Sequence, residues 1–154
     1  MRKPYFPSRE NDPPPLRVTV ERRVRFEETD PLGIVWHGRY ASYFEDARSA
    51  AGEKYGIGYL DLYRNGIVAP IRIMHSDYHL PLRYPETFTI EGVFHWTEAA
   101  RIDIEYIIRN REGLLATTGY TVQIMLDMDG NLLLITPPFY RAFCEKWRAG
   151  GFIE

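Results

Sequence analysis

The sequence predicts an α+β domain in which an antiparallel sheet carries one long helix on a single face. Two observations predict it. Tyr40, Tyr43, Phe44, Ala47 and Ala51 recur at spacings of three and four, the stripe of a helix buried on one side. Downstream, segment after segment alternates apolar and polar residues with a period of two, and only short turns separate them, which is the signature of hairpins.

Residues 1–16 carry Pro4, Pro7, Pro13, Pro14 and Pro15 among polar residues. That composition buries little and blocks strand pairing, so this part reads as an extended or disordered arm ahead of a domain spanning 17–154. Removing residues 1–14 is expected to leave fold and activity nearly intact. From residue 18, Val18, Val20, Val24 and Phe26 alternate with Thr19, Glu21, Arg23, Arg25 and Glu27, a half-buried strand with Arg22 as its exception. Asp30-Pro31 and Gly33 mark a turn. A helix enters near His37-Gly38; Arg39, Ser42, Asp46 and Ser49 fall off its apolar stripe, and Gly52 and Gly56 end it. Residues 59–64 form a short second helix, stopped by Asn65-Gly66.

Residues 67–80, rich in Ile, Val, Tyr and Met, read as one long strand, with Pro70 giving an irregular start or an edge. After a turn at 81–85, Phe88, Ile90, Phe94 and Trp96 alternate with Thr87, Thr89, Glu91 and His95. Ile102, Ile104, Tyr106 and Ile108 alternate with Arg101, Asp103, Glu105 and Arg109, and a turn at 111–113 leads to a strand over 114–126. Asp129-Gly130 is a hairpin signal that introduces a short last strand at 132–135. Pro137-Pro138 opens a final helix whose Phe139, Tyr140, Phe143 and Trp147 share one face, and Gly150-Gly151 stops it.

Composition narrows the function classes. The chain has 154 residues, 45% hydrophobic and 26% charged, which suits one globular domain. A formal net charge of -2 leaves no global basic field to gather nucleic acid or anionic lipid. The single cysteine, Cys144, excludes an internal disulfide framework and fits a reducing compartment, so a cytoplasmic protein is expected. No apolar run reaches the length of a membrane span, and no charged-then-apolar leader opens the chain. A Gly-rich phosphate loop, Cys-x-x-Cys, HExxH and G-x-S-x-G are all absent.

The chemistry concentrates between Glu27 and Arg48. A carboxylate, Asp30, sits in a tight turn, and a helix N-terminus follows seven residues later. First-turn N–H groups have no intrahelical partner and the helix dipole adds partial positive charge, both of use to a developing oxyanion. Asp-Pro alone signals only a turn. The whole run Asp30-Pro31-Leu32-Gly33-Ile34-Val35-Trp36-His37, with Tyr40 and Glu45-Asp46-Ala47-Arg48, resembles the hot-dog-fold acyl-thioester hydrolases. The closest types are the 4-hydroxybenzoyl-CoA thioesterases and the short-chain acyl-CoA thioesterases associated with the Tol–Pal system, and the likeness covers roughly residues 18–137.

The resemblance implies a hot-dog fold, an antiparallel sheet wrapped around one long central helix. It implies hydrolysis of an acyl or aroyl thioester, with Asp30 as nucleophile or general base. His37 stands where the short-chain enzymes have a functional histidine and the hydroxybenzoyl enzymes use a backbone N–H as oxyanion donor. Gly38 would admit the substrate carbonyl, and Trp36 and Tyr40 would line the acyl pocket. The basic cluster with which the hydroxybenzoyl enzymes grip the CoA nucleotide is reduced to Arg101, beside Glu98, and Phe26 replaces a tyrosine of the short-chain enzymes. The substrate is therefore an acyl-CoA or an acyl carrier protein thioester; no cofactor is expected beyond the CoA or pantetheine of the substrate. A homotetramer, a dimer of dimers, is expected.

Other clusters have ordinary readings. Glu45 and Asp46 match the helix carboxylate of another hot-dog class, but an i,i+3 pair of Glu45 with Arg48 accounts for them structurally. His75, Asp77 and His79 share one face of a strand, where a metal site is conceivable; sheet-surface or subunit-contact roles fit better. A hot-dog dehydratase and a non-catalytic acyl-binding subunit are the competing readings.

Overall fold

Burying the stripe of one long helix against one sheet sets the architecture. The computed structural model describes residues 2–153. In chain order it contains β1 (Leu16–Arg23), α1 (Tyr40–Tyr55), α2 (Tyr59–Arg64), β2 (Ile71–Tyr78), β3 (Thr87–His95), β4 (Arg101–Arg109), β5 (Leu115–Ile124) and α3 (Pro138–Arg148). All paired strands are antiparallel and form a 5-stranded sheet in the order β1-β3-β4-β5-β2. The expected α+β hot-dog arrangement is present, with Tyr40, Tyr43, Phe44, Ala47 and Ala51 of α1 buried on the sheet.

One row across the sheet governs how close the helix comes. Val18, Gly92, Tyr106, Gly119 and Ser76 lie side by side on β1, β3, β4, β5 and β2. Tyr106 stands between two glycines, and Phe44 stacks on it with centroids 4.4 Å apart and an interplanar angle of 6°. A β-carbon at Gly119 would fall 2.7 Å from Phe44 Cζ, and one at Gly92 would meet the Ala47 methyl at 3.3 Å. The two glycines are the notch into which the helix settles.

Several expected details differ. Four consecutive hairpins were expected after the helix, but β2 pairs with β5 at the far edge rather than with β3. Residues 81–86 are held elsewhere: the Leu82 carbonyl accepts from Val35 N–H at 2.9 Å and the Glu86 carbonyl from Val24 N–H at 2.9 Å. β1 ends at Arg23, and Phe26 lies in a 3-10 turn, 77% exposed, because the chain coils there and leaves the pleat. Residues 132–135 form no strand, only a bridge between Leu126 and Leu132. Gly52 does not stop α1, which runs on to a left-handed cap at Gly56; Gly52 instead lets α1 meet the Gly58 backbone, 2.7 Å from where its β-carbon would be.

The N-terminal arm departs most from expectation. It is irregular yet docked across the sheet face opposite the helix. Phe6 is buried, its ring beside those of His95 and Tyr120. The Tyr5 hydroxyl bonds Asp77 and Thr118, and its ring packs on His75 and Tyr120. Arg2 pairs with the buried Glu105 at 2.7 Å, and Trp147 Nε1 donates to the Pro14 carbonyl at 2.9 Å. Aromatic burial outweighs the proline content because the prolines leave Tyr5 and Phe6 free to face the sheet. Burial pushes the Glu105 carboxyl up, but bonds from His95 and Arg2 hold it below its ordinary value; Tyr5 and His75 do the same for Asp77.

Deleting residues 2–14 should therefore lower the melting temperature at pH 7 by roughly 5–10 °C, the loss expected from two aromatic contacts in a chain of this size. Depressed carboxylate pKa values stabilise above the unfolded-state pKa and lose that contribution as pH falls through the folded value. The gap between full-length and truncated chains should thus narrow below about pH 4. Thermal melts of both chains across pH 3–7 check this.

Candidate active site

The segment between β1 and α1 folds back on itself as a narrow loop. Thr29 bridges Val35, Asp30 N–H donates to the Ile34 carbonyl at 2.9 Å, and Trp36 N–H donates to the Glu28 carbonyl at 2.9 Å. Gly33, at φ 76°, closes the turn through a 2.9 Å bond from its N–H to the Asp30 carbonyl. Few other residues tolerate that conformation. One Asp30 carboxylate oxygen accepts the Leu32 N–H at 2.8 Å, which fixes the side chain in the turn.

The loop delivers the chain to the start of α1 through a 3-10 turn at His37–Arg39. Arg39 is tied down twice, by its N–H to the Trp36 carbonyl at 2.9 Å and by its guanidinium to the Glu27 carbonyl at 3.1 Å. The His37 and Gly38 N–H groups have no protein acceptor among the described residues. The Trp36 indole lies directly over Gly38, and a β-carbon there would clash with its six-membered ring, 2.7 Å from Cε3. The His37 ring leans on Trp36 at 5.1 Å. From β2, the Tyr78 hydroxyl donates to the His37 carbonyl at 3.0 Å.

Asp30, Trp36, His37 and Gly38 thus lie along one braced loop. Tyr40 follows them but is core: it is buried edge-on against Tyr43 and Tyr78, and burial pushes its phenol up to about 12. Arg101 is not brought to this loop within the chain. It opens β4, whereas the Tyr78 that touches His37 pairs with Thr117, opposite Ile108 near the other end of β4. Seven residues of strand separate these ends by about 23 Å. Arg101 instead bonds Asp103 at 3.1 Å.

The helix carboxylates also differ from expectation. Asp46 makes a bidentate pair with Arg22 at 2.7 and 2.8 Å, and Glu45 accepts from the Tyr59 hydroxyl at 3.1 Å. Arg48 does not pair with Glu45. It is buried, donating to Gln123 Oε1 and the Ile57 carbonyl at 2.9 Å each. A cleft of about 780 Å³ lies between the end of β1 and α1, lined by Arg22, Arg39, Asp46, Glu28 and Tyr43 among others. Asp30, His37 and Gly38 do not line it. Of the His75, Asp77 and His79 trio, His75 and Asp77 meet Tyr5 of the N-terminal arm, and His79 bonds Thr118 of β5. No group of metal-ligating side chains occurs among the described residues.

The arrangement places a carboxylate and two unpaired N–H donors on one rigid loop, the parts needed to attack a carbonyl and hold the resulting oxyanion. Sequence reasoning missed Tyr78, whose contact with His37 spans 41 residues and follows no local spacing. Replacing Gly38 with alanine should push the half-exposed Trp36 ring aside rather than unfold the chain. Acrylamide quenching of tryptophan fluorescence should rise while stability falls by about 1 kcal/mol or less. Unchanged quenching with a large loss of melting temperature would place the strain in the backbone instead.

Comparison with known proteins bears on the same segment. The profile of the Thioesterase-like superfamily matches residues 24–144. The Putative acyl-CoA thioesterase YneP of Bacillus subtilis is 29% identical over 109 residues, 71% of this chain and 79% of that protein. The acyl-acyl carrier protein thioesterase ATL3 of Arabidopsis thaliana is 31% identical over 106 residues, 67% of this chain and 56% of that protein. The crystal structure of DHNA-CoA thioesterase from Staphylococcus aureus superimposes with a TM-score of 0.78 at 30% identity, covering 88% of this chain and 93% of that one. With the hot-dog sheet and helix in place and the family match running from the end of β1 into α3, the chain belongs to the thioesterase-like superfamily and is a thioester hydrolase.

Proposed function

We propose that the protein hydrolyses an acyl or aroyl thioester of coenzyme A through Asp30, with the His37 and Gly38 N–H groups as the oxyanion hole. The observation that carries this reading is the single braced loop that bonds the Asp30 carboxylate at one end and leaves two N–H groups unpaired at the other. Asp30 attacks the thioester carbonyl, or takes a proton from the water that does. Negative charge then gathers on the carbonyl oxygen, against the two N–H groups and the positive end of α1. The tetrahedral intermediate collapses by releasing the thiolate; where Asp30 is the nucleophile, water then hydrolyses the resulting Asp30 anhydride to free acid and carboxylate. A thiol ionises near pH ~8.5, so the leaving group needs little acid assistance. Coenzyme A is favoured over acyl carrier protein because the relatives named for CoA substrates include the structure with a TM-score of 0.78.

The working unit in this reading is a homodimer across β2, two of which pair into a tetramer, in the cytoplasm. β2 is an edge strand, and it exposes Ile71, Ile73, Met74 and Tyr78. Natural edges of that length are charged or covered. The loop exposes Leu32 and Trp36, and Asp30 does not line the cleft of about 780 Å³, so in this reading a second copy supplies a wall of the acyl pocket. Ile73→Lys should halve the sedimenting mass and abolish turnover together; a fully active monomer would reject the shared pocket.

Asp30→Asn keeps the turn bond to Leu32 but removes the negative charge. In thiol-release assays on the fastest of a short-chain, a long-chain and an aromatic acyl-CoA, kcat should fall on the order of 10²-fold or more, roughly 3 kcal/mol. KM and melting temperature should change little. A folded variant retaining most of its kcat would reject the mechanism.

A further inference from the structure

We propose that Tyr78 is a positioning residue for the oxyanion hole, acting through the peptide that joins His37 to Gly38. The inference rests on the reading of His37 and Gly38 given above. The carbonyl of His37 and the N–H of Gly38 belong to the same planar unit. Tyr78 Oη donates to that carbonyl at 3.0 Å. Withdrawing electron density at the oxygen strengthens the N–H at the other end as a donor, because hydrogen bonds in series polarise one another. The same bond fixes the plane, and with it the direction in which the N–H points.

Side-chain support for this peptide comes from Tyr78. Arg39 is held by the Trp36 and Glu27 carbonyls, so the residue after Gly38 is anchored. The Trp36 ring covers Gly38 from its Cα side and blocks movement that way. Among the side chains of the described residues, only Tyr78 bonds the His37–Gly38 peptide. Tyr78 is itself steadied by an edge-on contact with the buried Tyr40, ring centroids 5.1 Å apart, and by the pairing of its backbone with Thr117. The hydroxyl is thus presented from a strand rather than from a mobile loop. The ring alone would keep the contact with Tyr40, and its place on the β2 edge, as phenylalanine; the hydroxyl adds the bond to the His37 carbonyl.

The reaction asks for such a group only while charge develops on the substrate oxygen. A donor made stronger and fixed in place stabilises that state more than the bound thioester. Losing Tyr78 Oη should therefore appear in kcat and not in KM.

The test compares Tyr78→Phe with Asp30→Asn in the full-length chain, on the same acyl-CoA. For Tyr78→Phe, kcat should fall roughly three- to ten-fold, less than for loss of a direct oxyanion donor. KM, melting temperature and sedimenting mass should stay unchanged. The ¹⁵N resonance of Gly38 should move upfield, a readout that needs no turnover. 3-Fluorotyrosine at position 78, which keeps the hydroxyl, should restore both kcat and the resonance. Wild-type kcat and an unmoved Gly38 resonance in Tyr78→Phe would overturn the role of Tyr78 while an inactive Asp30→Asn left the proposed mechanism standing. A kcat loss that tracks a fall in melting temperature or in mass, and that fluorotyrosine fails to restore, would overturn it as well. A fully active Asp30→Asn would instead remove the mechanism on which the inference rests.

Discussion

The close approach of α1 to the sheet is the constraint on which the rest of the molecule depends. Phe44 can stack on Tyr106 only because Gly92 and Gly119 flank that tyrosine on the neighbouring strands. Each absent side chain makes room for part of the helix, Ala47 at one notch and the Phe44 ring at the other. Aromatic stacking beside strand glycines recovers the packing that the glycines forgo. The notch also sets the helix axis over the middle of the sheet, and so fixes where its N-terminus emerges.

That emergence point determines the geometry of the candidate site. The loop before α1 must reach the helix start from the end of β1, and it does so pinned to residues 82–83 by the Val35 N–H bond and the Ile34–Arg83 bridge. Asp30 and the first N–H groups of α1 are therefore positioned by backbone bonds to rigid elements, not by side-chain packing alone. Sites held in this way need little rearrangement as charge develops, which is the physical basis of electrostatic preorganisation.

The face of the sheet away from the helix is organised by polarity. His95, Asp103, Glu105 and Thr118 are buried there although they point away from the core. Their cover is the N-terminal arm, and Arg2 and His95 supply the charge and donors that Glu105 needs. Burying a carboxylate without such partners would be strongly destabilising. Asp103 is less well served: burial raises its carboxyl against the pull of Arg101.

The sequence by itself determined the parts governed by local periodicity. The stripe of α1, the alternation in β3, β4 and β5, the proline-opened α3 and the Asp30 turn beside a helix N-terminus were all legible, because each is written in neighbouring residues. Only the tertiary structure decided the rest. That β2 crosses to β5, that Arg48 turns inward to Gln123 rather than to Glu45, and that Tyr5 and Phe6 anchor the proline-rich arm all depend on partners far away in the chain. The bond from Tyr78 to His37 is of the same kind. Such contacts are chosen by competition among many burial solutions for the whole chain, and spacing along the sequence carries no record of which solution wins.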